Sequence, residues 1–423
     1  MDPRALLMQA FECAIAAADP ARILAPATLD LRGSRVRVLG AGKAAASMAA
    51  AVEAAWDDLT LLEGVVVTRD GHALPTARIT VLTAAHPVPD ERCVAAADWL
   101  LDLARGCPAG TLMLGLWSGG GSSLLSRPVE GVSLAQYQDL TRALLRGGVP
   151  IGEFNTLRRH LSASQGGRLA LASPVAIRNL ILSDVPGDDP SAIASGPCCP
   201  DPTSFADCLD ILARWRIEAA DSIRQHLLAG AAGRVEETPK PGHPRFATVD
   251  TRIIGSGARS LAAASRLLGE AGVRVIDLGD GITGEAREVA RSHAARIREL
   301  ARGRGPHEAP VALLSGGECT VSVRGPGRGG RCSEYLLQLW LELRELAGVH
   351  AIACDTDGID GTEDNAGAWF GPGLADRVRE AGLDAGECLR RNDAHGFFAA
   401  AGALVHTGPT RTNVNDFRCV MLL

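Results

Sequence analysis

One repeating arrangement constrains this chain more than any other feature. A short apolar run is followed by a turn rich in glycine or aspartate, and then by a helical pattern. Arg35–Leu39 leads into Gly40-Ala41-Gly42-Lys43 and an alanine-rich stretch ending near Trp56. Thr111–Leu116 runs into Ser118–Ser123, and Ala176–Leu182 runs into Asp184–Asp189. Residues 231–246 then hold three prolines and two glycines without apolar periodicity, which reads as a linker between domains. Beyond it the pattern restarts. Thr248–Ile254 precedes Gly255–Gly257, Ala309–Ser315 precedes Gly316-Gly317-Glu318, and His350–Cys354 precedes Asp355–Gly361. Strands alternating with helices predict an α/β chain built on a doubly wound, mostly parallel, Rossmann-like sheet. A length of 423 residues predicts two domains, placed at 1–235 and 236–423, the second a smaller α/β domain. Cys319–Arg324 alternates like a strand and suggests a hairpin.

Composition removes several classes of function. The formal charge is −6 and no basic run occurs, so nucleic acid is not an expected partner. The uncharged run Gly106–Ser126 has a polar, glycine-rich second half, which fits a strand and loop rather than a membrane span. The first eighteen residues carry Asp2 and Glu12 and lack the basic-then-apolar order of a secretion signal. Eleven cysteines, an odd number without Cys-x-x-Cys, read as reduced, buried thiols of a cytoplasmic protein. The histidines show no metal-binding spacing, and no Gly-x-Ser-x-Gly elbow is present.

Strand C-termini in a parallel sheet share one edge, where ligands bind at the point of strand reversal. Six turns fall at such ends: Gly40–Lys43, Ser118–Ser123, Asp184–Asp189, Gly255–Gly257, Ser315–Glu318 and Asp355–Gly361. The expectation is that they line one cleft between the two domains. All but two of the 43 basic residues are arginines, and one of the two lysines, Lys43, stands in the first of these turns. Gly42 and its neighbours offer backbone N–H groups for an anion. Ser118, Gly119, Gly120, Gly121, Ser122 and Ser123 form a more specific candidate anion loop. Asp184, Asp188 and Asp189, with Asp357 in the second half, have the chemistry of Mg²⁺ ligands or of a proton acceptor. Arg158, Arg159 and His160 are candidates for a carboxylate or phosphate. Arg331 follows Gly329-Gly330 at a helix start, where a cation is disfavoured by the helix dipole, so a ligand charge is expected to offset it.

Taken in order, these stretches resemble the glycerate 2-kinase family, whose C-terminal part is the MOFRL domain. The similarity rests on GAGKA at Gly40–Ala44, HPVPD at His86–Asp90, SGGGSSLL at Ser118–Leu125 and FNTLRRHLS at Phe154–Ser162. It continues through GGRLA at Gly166–Ala170 and SDVPGDDPSAIASGP at Ser183–Pro197. SGGE at Ser315–Glu318, GGR at Gly329–Arg331, DTDGIDG at Asp355–Gly361 and TGPTRTNVND at Thr407–Asp416 complete it. The resemblance implies transfer of the ATP γ-phosphate to the 2-hydroxyl of D-glycerate, with Mg²⁺. It implies phosphate-binding or catalytic roles for Lys43 and Arg331, beside Asp184 and Asp189, with Asp188 and Asp357 toward the metal. Gly316, Gly317, Glu318, Asn413 and Asn415 join the substrate and phosphate contacts on the same basis. D-glycerate and ATP are the expected partners, and a homodimer is the candidate assembly. The chain departs from the family pattern at Cys332, Ser333, Ala394, His395 and Arg411.

Two other readings compete. Gly40–Ala45 fits a dinucleotide fingerprint, and some relatives carry the label hydroxypyruvate reductase, so NAD(P)H-dependent reduction is one alternative. A non-catalytic sugar-phosphate-binding protein is the other. Neither gives the two aspartate turns a task.

Overall fold

The computed structural model describes residues 2–24, 35–56, 58–305 and 308–423. The chain divides into two compact units, Pro20–Ile254 and a second made of Met1–Asp19 with Gly255–Leu423. This differs from the expected boundary at 235/236, for two physical reasons. The helix Pro3–Ala17, capped by Asp2 (Oδ1 accepts the Arg4 N–H at 3.0 Å), buries Leu7, Ala10, Phe11 and Ala14. That stripe packs with Leu261, Ala264, Leu268 and Phe417 of the C-terminal unit, and the Ser260 hydroxyl donates to Ala14 O at 2.8 Å. In addition, the expected linker belongs to the unit before it. Thr238 is buried, Pro239 O accepts the Asp201 N–H at 2.9 Å, and Glu237 accepts from His160 Nε2 at 2.9 Å. Lys240, which sequence alone leaves without a task, donates to Thr203 O and Thr238 Oγ1 there.

The Pro20–Ile254 unit is built on β1 (Arg35–Ala41), β2 (Leu62–Arg69), β3 (Ile79–Ala84), β4 (Thr111–Ser118), β5 (Ile177–Ser183) and β6 (Val249–Ser256). Their order is β3-β2-β1-β4-β5-β6, that of a doubly wound nucleotide-type sheet. The β1–β2, β2–β3, β1–β4 and β4–β5 registers are all parallel. Strand order reverses between β1 and β4, so the turns after these two strands flank the switch point. Apolar runs such as Val65–Val67 and Met113–Trp117 are buried because helices cover both faces. The run Gly106–Ser126 is β4 and the turn after it, and no helix among the described residues is long and apolar enough to cross a membrane.

The second unit carries β7 (Arg274–Asp277), β8 (Gly284–Glu285), β9 (Val311–Gly317), β10 (Cys319–Thr320), β11 (Val349–Asp355), β12 (Gly367–Phe370), β13 (Leu404–Val405) and β14 (Asp416–Leu422). Its main sheet is ordered β13-β12-β11-β14-β9-β7 and is mixed: only β7–β9 is parallel. The expected hairpin at Cys319–Arg324 is instead the two-residue β10, paired in parallel with β8. Since β14 runs against both neighbours, its first residue, Asp416, sits opposite Gly317 at the end of β9 and Asp355 at the end of β11. The edge rule for parallel strands therefore extends here to a strand N-terminus. All cysteines are free thiols, buried except for Cys13 and Cys388.

Candidate functional site

At the switch point, the turn after β1 is fastened to the turn after β4. Gly42 N–H donates to Val67 O at 3.1 Å, Lys43 N–H to Gly119 O at 2.8 Å, Ala44 N–H to the Ser118 hydroxyl at 3.0 Å and Ala45 N–H to Gly42 O at 3.1 Å. These four donors are therefore engaged within the protein. The expectation that Gly42 and its neighbours hold an anion through their N–H groups is corrected: the turn presents the Lys43 side chain. Gly42 has φ +138° and a Cβ on it would lie 2.1 Å from Ser118 Oγ, so glycine is required on both counts.

The loop after β4 approaches three other segments. Gly120 is left-handed (φ +79°), a conformation from which anion nests are made. A Cβ on Gly120 would meet His86 Nε2 at 3.1 Å and Lys43 Cγ at 3.2 Å. One on Gly119 would lie 1.7 Å from Asp184 Oδ2, so the loop backbone is in contact with that carboxylate. The serine hydroxyls, expected as ligand donors, mostly shape the loop. Ser118 accepts from Ala44, Ser122 Oγ accepts from Ser195 at 2.9 Å, and Ser123 donates to Gly120 O at 3.2 Å.

The three basic residues of FNTLRRHLS separate cleanly. Their helix, Ile151–Leu161, is buried at every position from Phe154 to Leu161, so these are not solvated surface charges. Arg159 pairs with buried Asp201 at 2.9 Å, and His160 lies between Thr156 O and Glu237, both at 2.9 Å. Those two side chains hold the unit together. Arg158 is 8 % exposed, stacks on Phe154 with its Cζ 3.9 Å from the ring centre, and donates to Asn155 Oδ1 at 3.3 Å. Its Nε has no hydrogen-bond partner, and among the described residues no carboxylate pairs with it. Burial lowers its pKa. A buried guanidinium without a counterion is what an anionic ligand would satisfy.

His86 completes this cluster and was not singled out from sequence, although HPVPD contains it. Its pKa is pushed down to about 3, chiefly by burial and then by the charges of Lys43, Arg69, Arg158 and His72. Four cationic or imidazole groups thus act on one ring beside Gly120. A lone histidine carried no spacing signal by which to find this.

The aspartate turn after β5 divides its work. Asp189 accepts from Ser191 N at 2.9 Å and Ser191 Oγ at 3.0 Å, so its carboxylate shapes the turn. Asp188 adopts φ +55°, and its Oδ1 is buried without a hydrogen-bond partner. Among the described residues no group of three or more His, Cys, Asp or Glu could hold a metal alone. One orphaned carboxylate oxygen fits Mg²⁺, which takes one or two carboxylates and fills its shell with phosphate oxygens and water.

In the second unit Arg331 does face offsetting negative charge, but the protein supplies it. Its Nε donates to Asp416 at 2.7 Å, Nη1 to Glu318 at 2.7 Å and Nη2 to Asp355 at 2.6 Å. Burial opposes the charge, yet Asp416, Asp355 and Glu318 outweigh it and raise the pKa. Gly316 O and Gly317 O accept from Arg418 at 2.9 and 3.1 Å, which ties this turn to the ion network. Asp357 Oδ1 accepts the Ile359 N–H at 2.9 Å. Asp360 accepts the Cys332 and Ser333 N–H groups at 2.9 and 2.8 Å, capping the Arg331–Leu343 helix, and burial raises its pKa to about 6. Asn413 Oδ1 accepts the Asn415 N–H at 3.2 Å, and Asn415 O accepts from Thr356, so both asparagines shape the approach to β14.

The fold and these groups define a two-unit α/β protein with a cluster of cationic side chains at the switch point of its parallel sheet. Residues 6–228 match the domain of unknown function DUF4147, and residues 311–416 match the MOFRL family. A D-glycerate 2-kinase of Thermotoga maritima is 37% identical, covering 98% of both chains. A putative hydroxypyruvate reductase of Agrobacterium vitis is 46% identical over 99% of this chain and 94% of its own length. The crystal structure of Thermotoga maritima glycerate kinase superposes with a TM-score of 0.87 at 36% identity, covering 99% of each chain. This chain belongs to the glycerate 2-kinase family of DUF4147–MOFRL proteins.

Proposed function

We infer that the protein transfers the γ-phosphoryl group of ATP to the 2-hydroxyl of D-glycerate. The observation that carries this reading is Arg158, a buried cation without a carboxylate partner, in one cluster with Lys43, His86 and the Gly119–Gly121 loop. Arg158 receives the glycerate carboxylate. Lys43 places a compact full charge beside the loop, where it follows the phosphoryl group as charge spreads over its oxygens. Asp184, against Gly119, accepts the proton as the hydroxyl oxygen bonds to phosphorus and the bond to the ADP oxygen breaks. Asp188 would hold Mg²⁺ directly or through water; when bound, the ion would neutralise charge on the phosphates. Arg331 keeps its neighbouring acidic side chains in place rather than gripping phosphate alone. On this reading the partners are D-glycerate and ATP, and the compartment is the cytoplasm.

The reductase reading needs free N–H groups in the Gly40–Ala45 turn for a pyrophosphate and an acidic residue near the end of β2 for the ribose. The N–H groups are engaged, and Asp70 is held by both Arg92 nitrogens at 2.7 and 2.8 Å. A coupled assay with D-glycerate, ATP and Mg²⁺, run beside hydroxypyruvate with NADH, tests the proposal. Turnover in the first arm alone supports it, and turnover in the second arm alone overturns it.

A further inference from the structure

A second polar pocket lies at the other end of β11. His350 and Asp355 are five residues apart on that strand, which places them about 16 Å apart along it. Trp369 on β12 sits opposite Ile352, and residues two apart on a strand share a face, so His350, Ile352 and Trp369 face the same way. The start of the Pro3–Ala17 helix covers that face: Arg4 Cζ lies 4.2 Å from the Trp369 ring centre. Arg377 Cζ lies 5.4 Å from the same centre, and its Nε is anchored on Ala401 O at 2.8 Å. Together with Gly371 these groups line a pocket of about 240 Å³.

Three nitrogen atoms of this pocket are buried without any hydrogen-bond partner: Trp369 Nε1, His350 Nδ1 and Arg377 Nη2. An indole N–H and a guanidinium N–H can only donate. Leaving such donors buried and unpaired is unfavourable. Burial lowers the His350 pKa, against the opposing charge of Asp2, and in the neutral ring Nδ1 donates or accepts according to the tautomer. Asp2 also lines the pocket, but its Oδ1 is engaged by the Arg4 N–H at 3.0 Å. A Cβ on Gly371 would lie 2.8 Å from His350 Nδ1, so glycine there keeps space beside that nitrogen. The pocket thus holds unpaired donors of Trp369 and Arg377 beside the Arg4 guanidinium, with the Asp2 carboxylate also lining it.

We propose that the Trp369 pocket binds a small oxyanion, a carboxylate or a phosphate, through Trp369, Arg377, Arg4 and His350. The site is separate from the switch-point cluster and stands or falls independently of the kinase reading.

Selective nitrogen-15 labelling of tryptophan gives one indole N–H signal for each of the six tryptophans, and Trp369→Phe identifies the relevant one. The full-length protein is titrated with inorganic phosphate and, separately, with acetate, at ionic strength held constant with chloride. The Trp369 signal is expected to move saturably with at least one of them, and the better ligand identifies the class. Arg377→Gln and, on an exposed residue, Arg4→Gln should each weaken that titration about 10-fold or more while the signal remains, as expected for loss of a charge-assisted hydrogen bond. Lys43→Ala should leave it unchanged. A Trp369 signal unmoved by both anions overturns the proposal. So does a wild-type response in both arginine variants, or a response lost in Lys43→Ala.

Discussion

The Ala44 amide donates to the Ser118 hydroxyl across 3.0 Å, so the Ala45–Ala54 helix after β1 takes its N-terminal cap from the end of β4. The residue at its own cap position is alanine, which can supply none. Together with the Lys43 N–H to Gly119 O bond, the Ala44–Ser118 bond couples the turn that carries Lys43 to the glycine loop facing it. Ser118→Ala should cost about 1 kcal/mol of stability and lower turnover by loosening Lys43. Gly42→Ala should be far worse, since its Cβ would collide with Ser118 Oγ and its φ is positive. Thermal melting and steady-state kinetics of the two variants check both; a Gly42→Ala protein as stable as Ser118→Ala would contradict the geometry.

Lys43→Arg keeps the charge but replaces a compact ammonium with a planar fork. It is expected to fold normally and to lose about 100-fold or more in kcat, much as Lys43→Ala does. Near-normal turnover would make the ammonium dispensable.

Arg158 and Arg159 are adjacent yet should fail differently. Arg158→Gln should raise KM for D-glycerate about 10-fold or more, with a smaller change in kcat. Arg159→Gln leaves Asp201 buried without its partner and should destabilise the protein by about 3–5 kcal/mol. Urea denaturation and KM measured on both variants separate the two roles; the opposite assignment would exchange the results.

His86 links the cluster to acid stability. Its pKa is about 3 in the fold against an ordinary 6.5, so between these values the unfolded chain binds the extra proton. Stability contributed by the neutral ring is therefore present above about pH 6.5 and is lost as pH falls toward 3. His86→Gln should lose less stability than wild type between pH 7.5 and pH 5, measured by urea unfolding at each pH. An equal loss in both proteins would place the His86 pKa near its ordinary value.

Sequence made the first sheet legible because its central strands β1, β2, β4 and β5 are largely buried and each is followed by glycine or aspartate. The second sheet was harder. Antiparallel pairing of β14 with β9 and β11 leaves no local trace, so the meeting of Asp355, Asp416 and Arg331 could not be read from spacing. Arg158, Arg159 and His160 are chemically similar in sequence; only burial and the position of Asp201 divide ligand chemistry from scaffolding. His86 was hidden for a related reason, since its character comes from burial and from Lys43, Arg69, His72 and Arg158, which are distant in sequence. The Pro3–Ala17 stripe carries no local sign of which core receives it.

That stripe has a consequence for how the protein is made. Leu7, Phe11 and Ala14 emerge from the ribosome long before their partners Phe417 and Met421. The Ala14–Ser260 and Ala18–Thr412 hydrogen bonds join residues 246 and 394 positions apart. At about 5–20 residues per second, the first helix waits on the order of 20–80 seconds for the strand that covers it. The Pro20–Ile254 unit can finish folding in that interval, whereas the second unit closes only once β14 has emerged.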